Sequence, residues 1–102
     1  MSQAPPDSTV APDIGVNLAS FGRHLRAENK QPSTVVTYAK AVEQLDDFLA
    51  TAGMPRSVAA IRREHVESFL VALQERGMKP ATVSQRFRSL QQFFKWLAEE
   101  GE

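Results

Sequence analysis

Cysteine is absent from the sequence, which excludes disulfide bridges and thiolate-bound metals and fits a reducing cytoplasm. No apolar run is long enough to span a membrane, and no basic start precedes a long apolar stretch as in a secretion signal. A soluble, cytoplasmic chain with no membrane partner is expected. Histidine is scarce. His24 and His65 fall in separate segments, and neither stands at ligand spacing from the other or from a close acid. Both read as surface residues, so neither a metal site nor a cofactor is expected. Glycine-rich phosphate loops are missing, and no Ser or Thr stands with a His and an acid in a recognisable nucleophilic arrangement. The single tyrosine, Tyr38, lies in an apolar stripe and reads as a core residue with its hydroxyl at the rim. No catalytic residue is assigned.

A surplus of positive charge is lacking as well: 12 Lys and Arg balance 12 Asp and Glu. Taken whole, that speaks against a nucleic-acid binder. The charges are segregated, however. From Arg76 through Ala98 there are five basic residues (Arg76, Lys79, Arg86, Arg88, Lys95) and no acid, whereas Glu43, Asp46 and Asp47 cluster earlier.

What the chain does have is helical periodicity. At 102 residues it is long enough for one domain with a modest core. Apolar residues recur at helical spacing in four segments separated by Gly or Pro, without an alternating run that suggests a sheet. The fold class is therefore all-α. Residues 1–14, with Pro5, Pro6 and Pro12, read as a disordered lead-in, and 15–102 as the folded domain. The first helix is expected over about Val16–Glu28, capped near Asn17, with Leu18, Phe21 and Leu25 inward. A second is expected from Pro32 to about Ala52, before Gly53, with Tyr38, Val42, Leu45 and Leu49 on one face and Val35, Ala41 and Phe48 beside them. A connector follows in which Val58 and Ile61 plug the core. The third helix is expected over Arg63–Arg76, burying Val66, Phe69, Leu70 and Leu73, with Gly77 as a left-handed stop. The fourth opens at Pro80 and runs to about Glu100, with Val83, Phe87, Leu90, Phe94 and Leu97 inward. All apolar stripes find use in one core, which leaves no spare patch and predicts a monomer.

Helices two and four can be aligned without gaps by laying Pro32 on Pro80. Thr34 then falls on Thr82, Val35 on Val83, Gln44 on Gln92, Phe48 on Trp96, Leu49 on Leu97 and Gly53 on Gly101. Two accounts stand: parallel roles for the two helices, or the general likeness of amphipathic helices that begin with Pro and end with Gly.

The outer face of the fourth helix carries the functional signal. With Val83 at the centre of the core face and about 100° per residue, Ser84, Arg88 and Lys95 lie on one flank and Gln85 and Gln92 nearly opposite the core. Arg and Lys neutralise phosphates, and Gln and Arg pair with base edges in the major groove. The competing account is a solvated surface, which ordinarily carries both signs of charge. On the second helix Ser33, Thr37 and Lys40 fall on the exposed side, ahead of the acids. Thr34 and Thr82 sit at helix starts, either as local caps or where free N–H groups meet an anion.

From Phe21 to Gly101 the sequence resembles the N-terminal core-binding domain of tyrosine recombinases and phage integrases, a SAM-like four-helix bundle. The resemblance is carried by Pro32-Ser33-Thr34-Val35 with Tyr38, Phe48-Leu49, Ile61, Val66, Phe69-Leu70, and Arg76 through Val83. It continues through Arg86, Leu90, Phe93-Phe94, Trp96-Leu97 and Gly101. It implies one half of a clamp on double-stranded DNA, with helices two and four at the major groove. The residues placed nearest DNA are then Ser33, Thr34, Thr37 and Lys40, with Lys79, Thr82, Ser84, Gln85, Arg86 and Arg88. Arg86 falls nearer the core edge than Arg88, and either reaches a phosphate along the flank or pairs with an acid. Arg63 stands where a Ser, Thr or Asp cap commonly opens the third helix. The resemblance further implies that strand chemistry and its tyrosine nucleophile belong to a catalytic domain outside this sequence, and that other recombinase subunits are partners. The alternative is a helical protein–protein interaction module.

Overall fold

The computed structural model describes residues 13–100. Four helices carry the fold: α1 (Ile14–Ala27), α2 (Pro32–Ala52), α3 (Arg63–Glu75) and α4 (Pro80–Glu99), with a short 3₁₀ turn at Val58–Ala60. No strand forms among the described residues; Asp13 and Ser57 make one isolated bridge. The expected all-α bundle is present.

Helix α1 begins earlier than its apolar spacing suggests. Asp13, not Asn17, is the cap, and its Oδ1 accepts the Val16 N–H at 3.0 Å. Asn17 instead donates to the Asp13 carbonyl at 3.1 Å. Ile14 is fully buried, and its N–H donates to the Arg56 carbonyl at 3.0 Å. Residues 13 and 14 are thus folded parts of the domain, because the cap and a core side chain both lie there. The rest of the expected lead-in, 1–12, lies outside the described residues.

Three helix ends use one device. Asn29, Gly53 and Gly77 have φ of 64°, 71° and 87°, the left-handed conformation that lets the next N–H reach back. Lys30 then donates to Leu25 O, Met54 to Leu49 O and Met78 to Leu73 O. Met54 and Met78 also pack against the core, as residues after such a stop commonly do. Helices α2 and α4 share their starts as well. The residues before the prolines, Gln31 and Lys79, have φ/ψ of −59/143° and −65/147°. Their carbonyls accept from residues three and four ahead at matching distances, 2.9 and 3.1 Å in both.

Helix α3 opens without the usual hydroxyl or carboxylate. His65 Nδ1 accepts the Arg62 N–H at 2.8 Å, so the imidazole supplies the missing acceptor. Arg62 rather than Arg63 is the cap residue.

Helix α2 packs against each of the other three, and α4 against α2 and α3. Aromatic contacts knit α1 to α4: Phe21 meets Phe93 edge-on at 5.2 Å and Trp96 at 5.3 Å. Val58 and Ile61 plug the core from the connector as expected.

The inward face of α4 differs from the expected one. Val83, Arg86, Ser89, Leu90, Phe93, Trp96 and Leu97 are buried, while Phe94 is only half-buried and Phe87 is 41% exposed. The stripe is turned because an arginine and a serine occupy core-facing positions, where a wheel built on apolar residues alone does not place them. Phe87, Val36 and Val71 remain outside the core, so the expected absence of spare apolar surface does not hold.

Candidate nucleic-acid interface

A groove of about 420 Å³ runs between the start of α2 and the middle of α4. From α2 it is lined by Ser33, Thr34, Thr37 and Tyr38, and from α4 by Gln85, Arg88, Ser89, Gln91 and Gln92. Five of the ten residues expected near DNA thus meet in one place, Ser33, Thr34, Thr37, Gln85 and Arg88. The lining contains one cation, several hydroxyls and three amides, with no carboxylate. It is a donor-rich surface, suited to anions and to the polar edges of bases.

The other five lie elsewhere. Lys40 and Ser84 are exposed outside the groove, Lys79 is the cap residue of α4 and Thr82 lies in its first turn. Arg86 is not on the outer face at all. It is 7% exposed, and its Nε donates to Gln44 Oε1 while its Nη1 donates to Gln85 Oε1, both at 2.8 Å. Neither expected role, a phosphate contact or a pairing with an acid, describes it. Two neutral amides hold the guanidinium at the α2–α4 seam, which stops a buried cation from being left without acceptors.

Tyr38, Ser89 and Gln91 line the groove without having been expected there. No local signal marks them, because their place there depends on how α2 and α4 pack against each other. Neither α2 nor α4 has a side-chain cap on its first turn. That leaves the Thr34 and Thr82 positions beside uncapped backbone donors.

The acids keep to other surfaces. Asp46 takes the Arg56 fork at 2.7 and 3.0 Å, and Asp13 stands 3.9 Å from the same guanidinium. The hydrogen bond to Asp46, then its charge, raises the Arg56 pKa above its ordinary value, with Asp13 and Asp47 adding to the effect. Asp47 lines a separate groove with Gln44, Phe48, Phe69 and Arg76. His24 stacks on Trp96 with centroids 5.8 Å apart and approaches Glu28 at 3.5 Å. Among the described residues no three His, Cys, Asp or Glu side chains gather as a metal site, and no helix is long and apolar enough to cross a membrane.

Fold and groove together define a small all-α bundle with an acid-free, donor-rich face. The chain belongs to the tyrosine recombinase family: the family model described as phage integrase, N-terminal SAM-like domain, matches residues 18–101. Among curated proteins it is similar to the tyrosine recombinase XerC of Salmonella typhi, 32% identical over 92 residues, covering 87% of this chain and 30% of the relative. It is also similar to XerC of Oceanobacillus iheyensis, 31% identical over 85 residues, covering 82% of this chain and 28% of that relative. The chain thus spans about three tenths of the length of the relatives it matches. No solved structure matches it.

Proposed function

We propose that this domain is the DNA-binding arm of a site-specific tyrosine recombinase or integrase. It grips double-stranded DNA through the groove between α2 and α4, and strand cutting and rejoining fall to a catalytic domain that works with it. One observation carries the reading: in a chain with as many acids as bases, the groove is lined without a single carboxylate. Arg88 supplies charge for a phosphate, and the hydroxyls and amides supply adaptable hydrogen bonds for backbone and base edges. Lys40, in the third turn of α2, and Lys79, at the start of α4, extend the contact.

The test is a titration of short duplexes against the chain across a salt series. Binding is expected to be weak alone and to fall steeply with salt, by about 0.9 in the log–log slope per phosphate neutralised. No binding at low salt, or binding indifferent to salt, refutes the reading. The chain by itself is expected to act as a monomer and to cut no DNA, checked by sedimentation and by incubation with supercoiled plasmid.

A second reading has its own observation. Phe87, Val66, Leu90 and Phe94 line an apolar groove between α3 and α4, flanked by Arg63, Glu67 and Lys95. Such a surface suits a protein–protein contact, with other recombinase subunits as the candidate partners. A concentration-dependent mass in sedimentation, abolished by Phe87→Ser, favours it.

A further inference from the structure

We infer that Arg86 is a positioning residue that makes Gln85 a donor-only reader of DNA, so that Gln85 selects guanine over adenine at the base it meets. The inference rests on the duplex-binding reading above and adds to it a preferred base and the residue that imposes the preference.

Hydrogen-bond capacity decides which end of an amide faces an arginine. A guanidinium has five N–H donors and no acceptor, so only an oxygen of a glutamine amide can face it. Arg86 therefore orients two amides at once: Gln44 Oε1 lies 2.8 Å from Nε and Gln85 Oε1 lies 2.8 Å from Nη1. Arg86 cannot easily turn away, because it is 7% exposed and held between α2 and α4. Gln85 itself is exposed and lines the groove. With the oxygen tied to Arg86, the NH₂ end of this planar group is the end left to face a ligand.

That changes what Gln85 can read. An unrestrained glutamine pairs bidentately with adenine, accepting from N6–H and donating to N7. A glutamine whose oxygen is engaged beneath it sets its own N–H against adenine N6–H. Guanine offers two acceptors on the same edge, O6 and N7, and so matches a donor-only amide. Arg86 acts without touching the DNA.

The experiment selects ligands for the full 102-residue chain from a randomised duplex pool at low salt. The recovered duplex is then titrated with guanine exchanged for adenine at each position. The variants are Gln85→Ala, Arg86→Met and Arg86→Lys, with helicity and thermal unfolding recorded for each. Wild type is expected to prefer guanine at one position by roughly tenfold, and Gln85→Ala to erase that preference. Arg86→Met, which frees the amide, is expected to bring adenine level with guanine there while affinity for the rest of the duplex persists. Arg86→Lys keeps a donor beneath Gln85 and retains the preference. Should Arg86→Met fail to fold, 7-deazaguanine at the same position probes the wild type directly: it must weaken wild type several-fold and leave Gln85→Ala unaffected. An adenine preference in wild type, an unchanged ratio in folded Arg86→Met, or equal weakening by 7-deazaguanine in both proteins overturns the inference alone. A wild-type chain that binds no duplex overturns the proposed function and the inference with it.

Discussion

Laid proline on proline, α4 buries the counterpart of every position that α2 buries. Ala41, Val42, Leu45 and Leu49 of the first correspond to Ser89, Leu90, Phe93 and Leu97 of the second, and all eight are buried. The residues before the prolines share one backbone conformation, and the first turns close at the same distances. Outside the core the two helices part. After its second turn α2 carries Glu43, Asp46 and Asp47, whereas α4 has no acid before Glu99. Register from the proline fixes which face is buried, and that burial leaves the outer chemistry of each helix free to differ. The groove forms where the acid-free start of α2 meets the acid-free middle of α4.

Equivalent substitutions on the two helices probe this comparison. The largest effects are expected from the shared core positions: Phe93→Ala costs about 3–5 kcal/mol and Leu45→Ala about 2–5 kcal/mol. Urea unfolding followed by circular dichroism measures both. A cost below about 1 kcal/mol for either would show that the two buried faces are not equivalent. Next comes the α2 stop. Gly53 has open space around it, so Gly53→Ala meets no clash and loses only the left-handed conformation, about 1–2 kcal/mol in the same assay. Arg88→Ala is expected to leave stability within about 0.5 kcal/mol of wild type, because the side chain is exposed. Duplex affinity should nonetheless fall for every sequence, and the salt slope should shrink by about 0.9. The smallest effect belongs to the acidic half of α2. Glu43→Gln and Asp47→Asn are expected to leave duplex binding unchanged or slightly tighter, by removing repulsion; clear weakening would place those residues within the contact.

Much of the fold was legible because its punctuation is local. Pro32, Gly53, Gly77 and Pro80 act on their own turns, so the bounds of α2 and the end of α3 could be read from single residues. The phase of α4 was not legible from apolar residues alone. Arg86 lies in the buried stripe only because Gln44, forty-two positions earlier in the chain, supplies an acceptor for it. Phe87 stays partly outside although it is more hydrophobic than Arg86 or Ser89. The proline alignment carried the missing information: moving the α2 positions Val42, Leu45 and Leu49 onto α4 gives Leu90, Phe93 and Leu97. The start of α1 was misread for another reason, since the contact that orders Ile14 reaches the connector at Arg56. Within the groove, Arg88 and Gln85 were legible from charge segregation. Tyr38 and Ser89 were not, because their place there depends on how α2 and α4 pack.

The clasp of Asp13, Asp46 and Arg56 also fixes where the chain enters the bundle. Asp46 comes nine residues after Thr37, and at about 100° per residue that places it on the opposite side of α2. It also lies roughly 18 Å along the axis from Thr34, at 1.5 Å per residue. Asp13 and Ser57, which bridge to each other beside the clasp, therefore stand on the flank of α2 turned away from the groove. A fluorophore attached at Ser57 leaves the groove open to a duplex in solution, which makes the clasp the labelling point for binding measurements.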